Sequence, residues 1–260
     1  MARRGKAAGA TPPPLPHDRR PIGQLIAEAI RLYQRRFWAS LALGLVLAAR
    51  DQLAYGHDSA FGTVLLWAFG PLLSAAYVAA CAISTDARPP RRAVATAITV
   101  GILVYLPFPL LIRIFILPGL AWFALFGLAV PAALHERLRF RGAIRRGFEL
   151  GRADFVHALG GLAALVLVYG VASSALVVLL RSQGDQAARA ALFLADLVLS
   201  PLVFLGAALL YFDQAARVVD STGPRTRRSG DADLLAAVEP DAAGRPDAEV
   251  EPRPAAPGQQ

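Results

Sequence analysis

Two charged side chains stand inside apolar stretches of this 260-residue sequence: Asp196 within Ala190–Phe212 (AALFLADLVLSPLVFLGAALLYF), and Arg113 within Ala93–Leu134. A charge at bilayer depth costs several kcal/mol, so it is retained for function or because it is paired. Asp196 lies six residues into its stretch, about 9 Å along a helix. Arg113 and Asp196 are therefore a candidate intramembrane polar pair, each relieving the burial of the other. The alternative is a polar cavity beside Asp196 that takes an ion or a solute.

A second chemistry is written in arginine. In His135–Asp154 (HERLRFRGAIRRGFELGRAD), Arg141, Arg145 and Arg152 are spaced to share one helical face, and Ile144 with Phe148 to share another. Residues 142–150 are expected to form an interfacial helix. Pro21–Arg36 (PIGQLIAEAIRLYQRR) has Ile22, Leu25, Ile26, Ala29, Ile30 and Tyr33 at helical spacing, continued by Phe37, with Gln24, Glu28, Arg31 and Arg35 opposite. Pro21 suits a helix start, and the pattern predicts an amphipathic helix on the inner leaflet. Guanidinium matches phosphate geometry, so Arg35, Arg36, Arg141, Arg145 and Arg146 are candidate lipid-phosphate contacts. Trp38 is the expected interfacial anchor. The plainer readings are a helix packed under the bundle and a loop that sets topology.

Catalytic patterns are missing. There is no Walker loop, GxSxG, HExxH or paired-carboxylate motif. His17, His57, His135 and His157 are scattered over settings that do not converge on a metal. Cys81 is the single cysteine and lies in an apolar run, so no intrachain disulfide or cysteine-based zinc site forms, and a buried thiol is expected. A membrane-embedded enzyme would need polar residues converging at one depth. Ser173, Ser174, Asp196 and Ser200 have no histidine beside them by depth. No catalytic residue, metal or cofactor is expected, and the chain is expected not to be an enzyme.

These residues need elements that cross a bilayer, which takes roughly 20 apolar residues per helix. The composition agrees, with 55% hydrophobic residues. Residues 60–84, 155–180 and 190–212 read as spans. The run 93–134 would be about 60 Å long as one helix, so it must turn, and Pro107, Pro109, Pro118 and Gly119 supply the break. It reads as two helices, 93–110 and 114–134, with the turn near Arg113. The first span is short: Phe37–Ala49 crosses only when extended to Tyr55, and a re-entrant segment is its alternative. The expected fold class is an all-α, polytopic membrane bundle of about six transmembrane helices plus the N-terminal amphipathic interfacial helix.

Net charge is +8. Basic character can mean nucleic acid, anionic lipid or a topology signal. With six crossings and an inner N-terminus, every Lys and Arg except Arg50, Arg113, Arg181 and Arg189 falls on one side. The charge therefore reads as positive-inside topology, with anionic lipid headgroups as partner and no nucleic acid. Residues 1–20 and 214–260 lack the apolar content to order and are expected to be a disordered N-terminus and a disordered cytoplasmic tail around a membrane domain at 21–213. No apolar h-region precedes Ile22, so a cleaved signal peptide is not expected. Lys6 is the only lysine, a codon bias of GC-rich bacteria. The expected location is the bacterial cytoplasmic membrane with both termini inside.

Three stretches carry a family resemblance. PIGQLIAEAIRLYQRRFW resembles the opening of the membrane domain attached to some glycerophosphoryl diester phosphodiesterases. FGLAVPAALHERLRFRGAIRRGFELGRADF resembles its segment of small-residue span, Pro, Glu and an Ala-x-x-Arg-(Ser/Gly)-x-x-Leu helix, here Pro131, Glu136, Ala143, Arg146, Gly147 and Leu150. LVFLGAALLYFDQAARV resembles its last span, ending here in Leu210, Tyr211, Phe212 and Asp213. The likeness covers about 21–217. It implies a six-helix membrane domain that often stands alone, and it does not bring phosphodiesterase activity, which belongs to a separate TIM-barrel domain with metal-binding Glu, Asp and His. Gly147, where Ser is common, and the short first span depart from the pattern. The function expected is organisation or sensing of lipids or membrane partners; the alternative is a small transporter or permease component with a polar cavity near Asp196.

Overall fold

The computed structural model describes residues 22–85 and 88–238, with side chains as far as residue 218. Pro21, the N-terminal segment 1–20 and the tail from 239 lie outside the described residues.

The first helix, α1 (Ile22–Arg35), forms where the amphipathic pattern places it. Leu25, Ala29 and Tyr33 are its buried stripe, while Ile30 remains exposed. The chain breaks at Arg36 and continues as α2 (Phe37–Ala54), whose last turns carry Arg50 and Asp51. A turn through Gly56, at φ +78° where a Cβ is unfavourable, leads to α3 (Ser59–Ala68). Asp58 caps α3, its carboxylate accepting from the Phe61 N–H at 2.9 Å.

The expected span 60–84 is not one straight helix. It is α3 followed by α4 (Gly70–Thr85), bent by 55°. Pro71 accounts for the bend, because it has no N–H to offer the preceding turn and its ring crowds the carbonyl four residues back. The run 93–134 does turn. It comprises α5 (Arg91–Tyr105), α6 (Phe108–Ile114), α7 (Ile116–Phe126) and α8 (Ala129–His135). The reversal is at Phe115, which is extended at φ −166°, ψ 152°. Then follow α9 (Phe140–Ala153), α10 (Phe155–Arg181) and α11 (Asp185–Val238). The helix α9 is longer at both ends than the 142–150 expected. The helix α11 passes the boundary drawn at 213: Gln214 is buried and Arg217 is ion-paired, so residues 214–218 belong to the helical body and not to a disordered tail.

All elements among the described residues are helices. Four stretches are long and apolar enough to cross a membrane: Arg91–Ile114, Ile116–His135, Phe155–Arg181 and Asp185–Val218, or five with the bent α3–α4 pair. The chain is thus all-α with membrane-spanning helices. The first expected span, α2, is not among them, because Arg50, Asp51 and Gln52 dilute its 18 residues.

The core is built largely from small side chains. Ala97, Ala124, Ala129, Ala132, Ala133 and Ala207 are buried around Tyr77, Val100, Val104, Leu150 and Leu205. Lipid tails are as apolar as leucine, so membrane helices associate by close packing, which small residues permit. Gly44 shows the limit: a Cβ there would lie 2.3 Å from the Leu197 carbonyl oxygen, so α2 meets the α11 backbone directly. Cys81 is buried, as expected. Val156, Leu167, Val171, Val178 and Leu179 on α10 face outward, as lipid contact requires.

Candidate functional site

One end of the bundle carries α1, α9 and the start of α10. A Cβ at Gly160 would lie 3.3 Å from Ile22 Cδ1, and one at Gly161 would lie 3.6 Å from Leu25 Cδ2. The apolar stripe of α1 is therefore seated on α10. Its opposite face exposes Arg31 and Arg35, with Arg36 exposed beyond its end. Trp38 is 79% exposed and meets the Phe37 ring edge-on at 5.2 Å.

On α9 the buried face is Ala143, Gly147, Leu150 and Gly151. Arg141, Arg145 and Arg152 share the exposed face, as their spacing predicted. Arg145 Nε donates to Glu149 at 2.9 Å, and the Arg152 guanidinium lies over the Phe148 ring at 5.3 Å. Arg146 departs from the reading as a surface phosphate contact. Its Nε donates to Glu136 Oε1 at 3.1 Å, and the same oxygen accepts from the Tyr211 hydroxyl at 2.8 Å. Arg137, at φ +53°, turns the chain between α8 and α9 and leaves Glu136 facing that pair. Thus Glu136 and Arg146 from one quoted stretch and Tyr211 from another form one cluster. Pro131 and Asp213 are both fully buried.

A second hub joins α9, α10 and α11. Asp154 caps α10 by accepting from the His157 N–H at 3.1 Å, and its other oxygen accepts from Arg217 Nη1 at 2.8 Å. Gln214 Nε2 donates to the Asp154 carbonyl at 3.3 Å.

At the other end of α2 and α10, the expected Arg113–Asp196 pair is not made. Arg113 sits exposed on the short helix α6 and forms no ion pair among the described residues. Asp196 is fully buried and accepts from the Tyr169 hydroxyl at 2.5 Å. Its charged neighbours are Asp51 and Arg50. Arg50 is itself bonded to Asp51 and donates to the Gly62 carbonyl at 2.9 Å. The guanidinium of Arg189 turns away to lie over the Tyr55 ring at 5.2 Å. The physical reason for the exchange is depth: α2 carries its charges to the level of Asp196 and packs on α11 at Gly44, whereas α6 projects Arg113 outward.

A cavity of about 340 Å³ adjoins this cluster. Arg50, Asp51, Tyr169 and Ser200 are its polar wall. The remainder is apolar and aromatic, including Tyr77, Tyr105, Phe108 and Phe123. Asp196 stands behind the wall, tied to it through Tyr169. Asp196 Oδ2, Arg50 Nε and Ser200 Oγ are buried and make no hydrogen bond among the described residues.

Sequence reasoning singled out Asp196 but missed Arg50, Asp51 and Tyr169 as its company. The available signal was the adjacent Arg50–Asp51 pair in the last turns of a short span, at the same expected end as Asp196. Among the described residues no three His, Cys, Asp or Glu side chains converge as a metal site. Comparison with protein-family models, with curated proteins and with solved structures returned no match.

Proposed function

We propose that this chain is a non-enzymatic inner-membrane protein that organises or senses lipids through a basic surface on its cytoplasmic face. The observation that carries this reading is the pair of amphipathic helices α1 and α9. Each seats an apolar or small-residue face on the bundle and turns guanidinium groups outward at the same end. Guanidinium beside a membrane surface is attracted to anionic headgroups by about 1 kcal/mol per charge. Trp38, exposed next to that surface, is placed as an indole anchor would be.

The layout that fits is six crossings in a bacterial cytoplasmic membrane, with α2 as the first, the bent α3–α4 pair as the second, and both termini inside. The distribution of arginine supports it. The resemblance to the membrane domain of glycerophosphoryl diester phosphodiesterases gains support from Glu136, Arg146 and Tyr211, motif positions that touch one another. The alternative, a small transporter or permease component, draws on the cavity beside Asp196. A hydrophilic solute would meet a wall made mostly of leucine, phenylalanine, tyrosine and valine, so headgroup contact is the better-supported reading.

Arg35, Arg141 and Arg145 are the groups to test, since Arg146 is engaged within the fold. Reversing all three to Glu should weaken retention of anionic phospholipid, relative to zwitterionic, in native mass spectrometry of the detergent-purified chain. Unchanged retention would remove the basic-surface reading.

A further inference from the structure

We propose that one anionic glycerophospholipid is seated in a groove along α5, α7 and α9, with an acyl chain laid in the groove and its phosphate held at the mouth by Arg141 and Arg145. The inference rests on the basic-surface reading and gives it a single seat. Two hollows carry it. The one beside α9, of about 460 Å³, lies between Phe140, Phe148 and the two arginines. The other, of about 540 Å³, lies between Trp67, Leu106, Leu110 and Trp122. Leu103, Phe126 and Ile144 line both, so the hollows meet along these three side chains.

The wall changes character once along its length. The hollow at Trp67 and Trp122 is lined by side chains with no hydrogen bond to offer. The Trp67 indole N–H donates to the Leu106 carbonyl at 2.8 Å, and that of Trp122 to the Val104 carbonyl at 2.9 Å. Indole has no other donor and no acceptor. A polar solute would give up its water there for nothing, so this stretch takes hydrocarbon. The charged groups on the groove are Arg141 and Arg145, both at the α9 end. Arg141 makes no ion pair among the described residues. Arg145 pairs with Glu149, but both side chains are exposed. Such a pair contributes little, so the guanidinium is open to exchange onto a phosphate, whose oxygens its paired donors match.

The groove is built before a ligand arrives. Trp122, Phe126 and Phe148 form a run of ring contacts from α7 to α9, with centroids 4.3 and 5.4 Å apart. A wall fixed in this way spares the cost of ordering it on binding. Leu103, Leu106 and Leu110 are exposed at its rim, so a lipid of the surrounding leaflet has a lateral way in. The occupant is hydrocarbon along most of its length and anionic at one end, as an anionic phospholipid is. A zwitterionic headgroup would bring its own cation to Arg141 and Arg145. A second copy meeting this face across a two-fold axis would set arginine against arginine.

The test uses the full-length chain in detergent, presented with equal concentrations of dioleoyl phosphatidylglycerol, dioleoyl phosphatidylcholine and glycerol 3-phosphate and read by native mass spectrometry. One phosphatidylglycerol adduct is expected, retained roughly tenfold above phosphatidylcholine, with no glycerol 3-phosphate bound. Leu103→Trp fills the junction of the two hollows without touching a charge and should remove that adduct. Arg141→Gln with Arg145→Gln should bring phosphatidylglycerol down to the level of phosphatidylcholine. Val156→Trp, on the outward face of α10, should change nothing. Should Leu103→Trp fail to fold by circular dichroism, Ile144→Trp closes the same junction from α9. Full retention in the folded groove-filling variant, with loss on reversing Arg35, Arg141 and Arg145, would leave the basic surface standing and overturn the groove. Equal retention of the two phospholipids, absence of any adduct, or no loss in either set of variants would overturn both. Glycerol 3-phosphate held as firmly as phosphatidylglycerol would mean that phosphate alone is read, and would overturn the groove. A dimer that Leu103→Trp dissolves would assign the groove to a second copy and overturn its assignment to lipid.

Discussion

Glu136 sits at the end of α8 with two donors on one oxygen, a guanidinium from α9 and a phenol from α11. Tyr211 is buried, so replacing the exposed Glu136 by an apolar residue strands its hydroxyl away from water. A buried group left without its partner costs about 1–3 kcal/mol. Glu136→Leu should therefore cost about 1–3 kcal/mol, and Tyr211→Phe less, because the carboxylate it leaves keeps Arg146 and water. The loss would appear as a lower melting temperature in detergent relative to the parent chain. Arg141→Gln alters an exposed side chain on the same end and should stay within about 0.5 kcal/mol. If Glu136→Leu and Arg141→Gln melt alike, the cluster is decorative. The side chains of this cluster were legible in the sequence as separate motif positions. Their meeting was not, because 75 residues and two helices, α9 and α10, separate Glu136 from the helix that carries Tyr211, and only the packing of α8, α9 and α11 brings them together. The same holds for Asp196. Its isolation in an apolar run was plain, yet the choice between Arg113 and Arg50 depends on which helix end lies at its depth.

Packing at the level of elements turns on how near α9 comes to α8. A Cβ on Gly147 would lie 2.4 Å from the Ala129 amide nitrogen, a backbone atom that cannot step aside. A side chain of any size does not fit between these two backbones. Gly147→Ala should push α9 off α8 and cost about 1–3 kcal/mol, the range for overpacking. Gly142, on the same helix, offers the control. Its nearest neighbour to an added Cβ is Leu138 Cβ at 3.8 Å, ordinary contact. Gly142→Ala should be neutral or stabilising by up to about 1 kcal/mol, since glycine is a poor helix former. Thermal unfolding of the two variants side by side would decide it, and equal stability would mean that α9 is not tightly docked. The helix α9 was readable from its 3.6-residue alternation of arginine and apolar residues. The bend between α3 and α4 was also signalled, by Pro71, but an unbroken apolar run hides a change of direction, since hydropathy records depth and not course.

At the scale of the molecule, composition alone announced a membrane bundle, because apolar runs of this length have no other use. Four stretches are long and apolar enough to cross a membrane. What composition does not fix is whether α2 crosses, since its 18 residues end in Arg50, Asp51 and Gln52. The cavity supplies a physical reason for those charges to sit there: they face Asp196 and one another instead of lipid, so the helix can reach the outer level without exposing them to hydrocarbon. An α2 that crosses makes the number of spans even and puts Arg31, before α2, on the same side as Arg141, with Gln183 opposite them across α10. A Cys81→Ala background removes the single native thiol, and Arg31→Cys, Arg141→Cys or Gln183→Cys then adds one exposed thiol at a time. A membrane-impermeant maleimide applied to intact cells should label the Gln183→Cys protein and spare Arg31→Cys and Arg141→Cys until the membrane is opened. Labelling of Arg31→Cys but not Arg141→Cys from outside would mean that α2 does not cross, and labelling of Arg141→Cys from outside would reverse or break the proposed layout. It would also place the basic faces of α1 and α9 away from the anionic cytoplasmic leaflet on which the lipid reading depends.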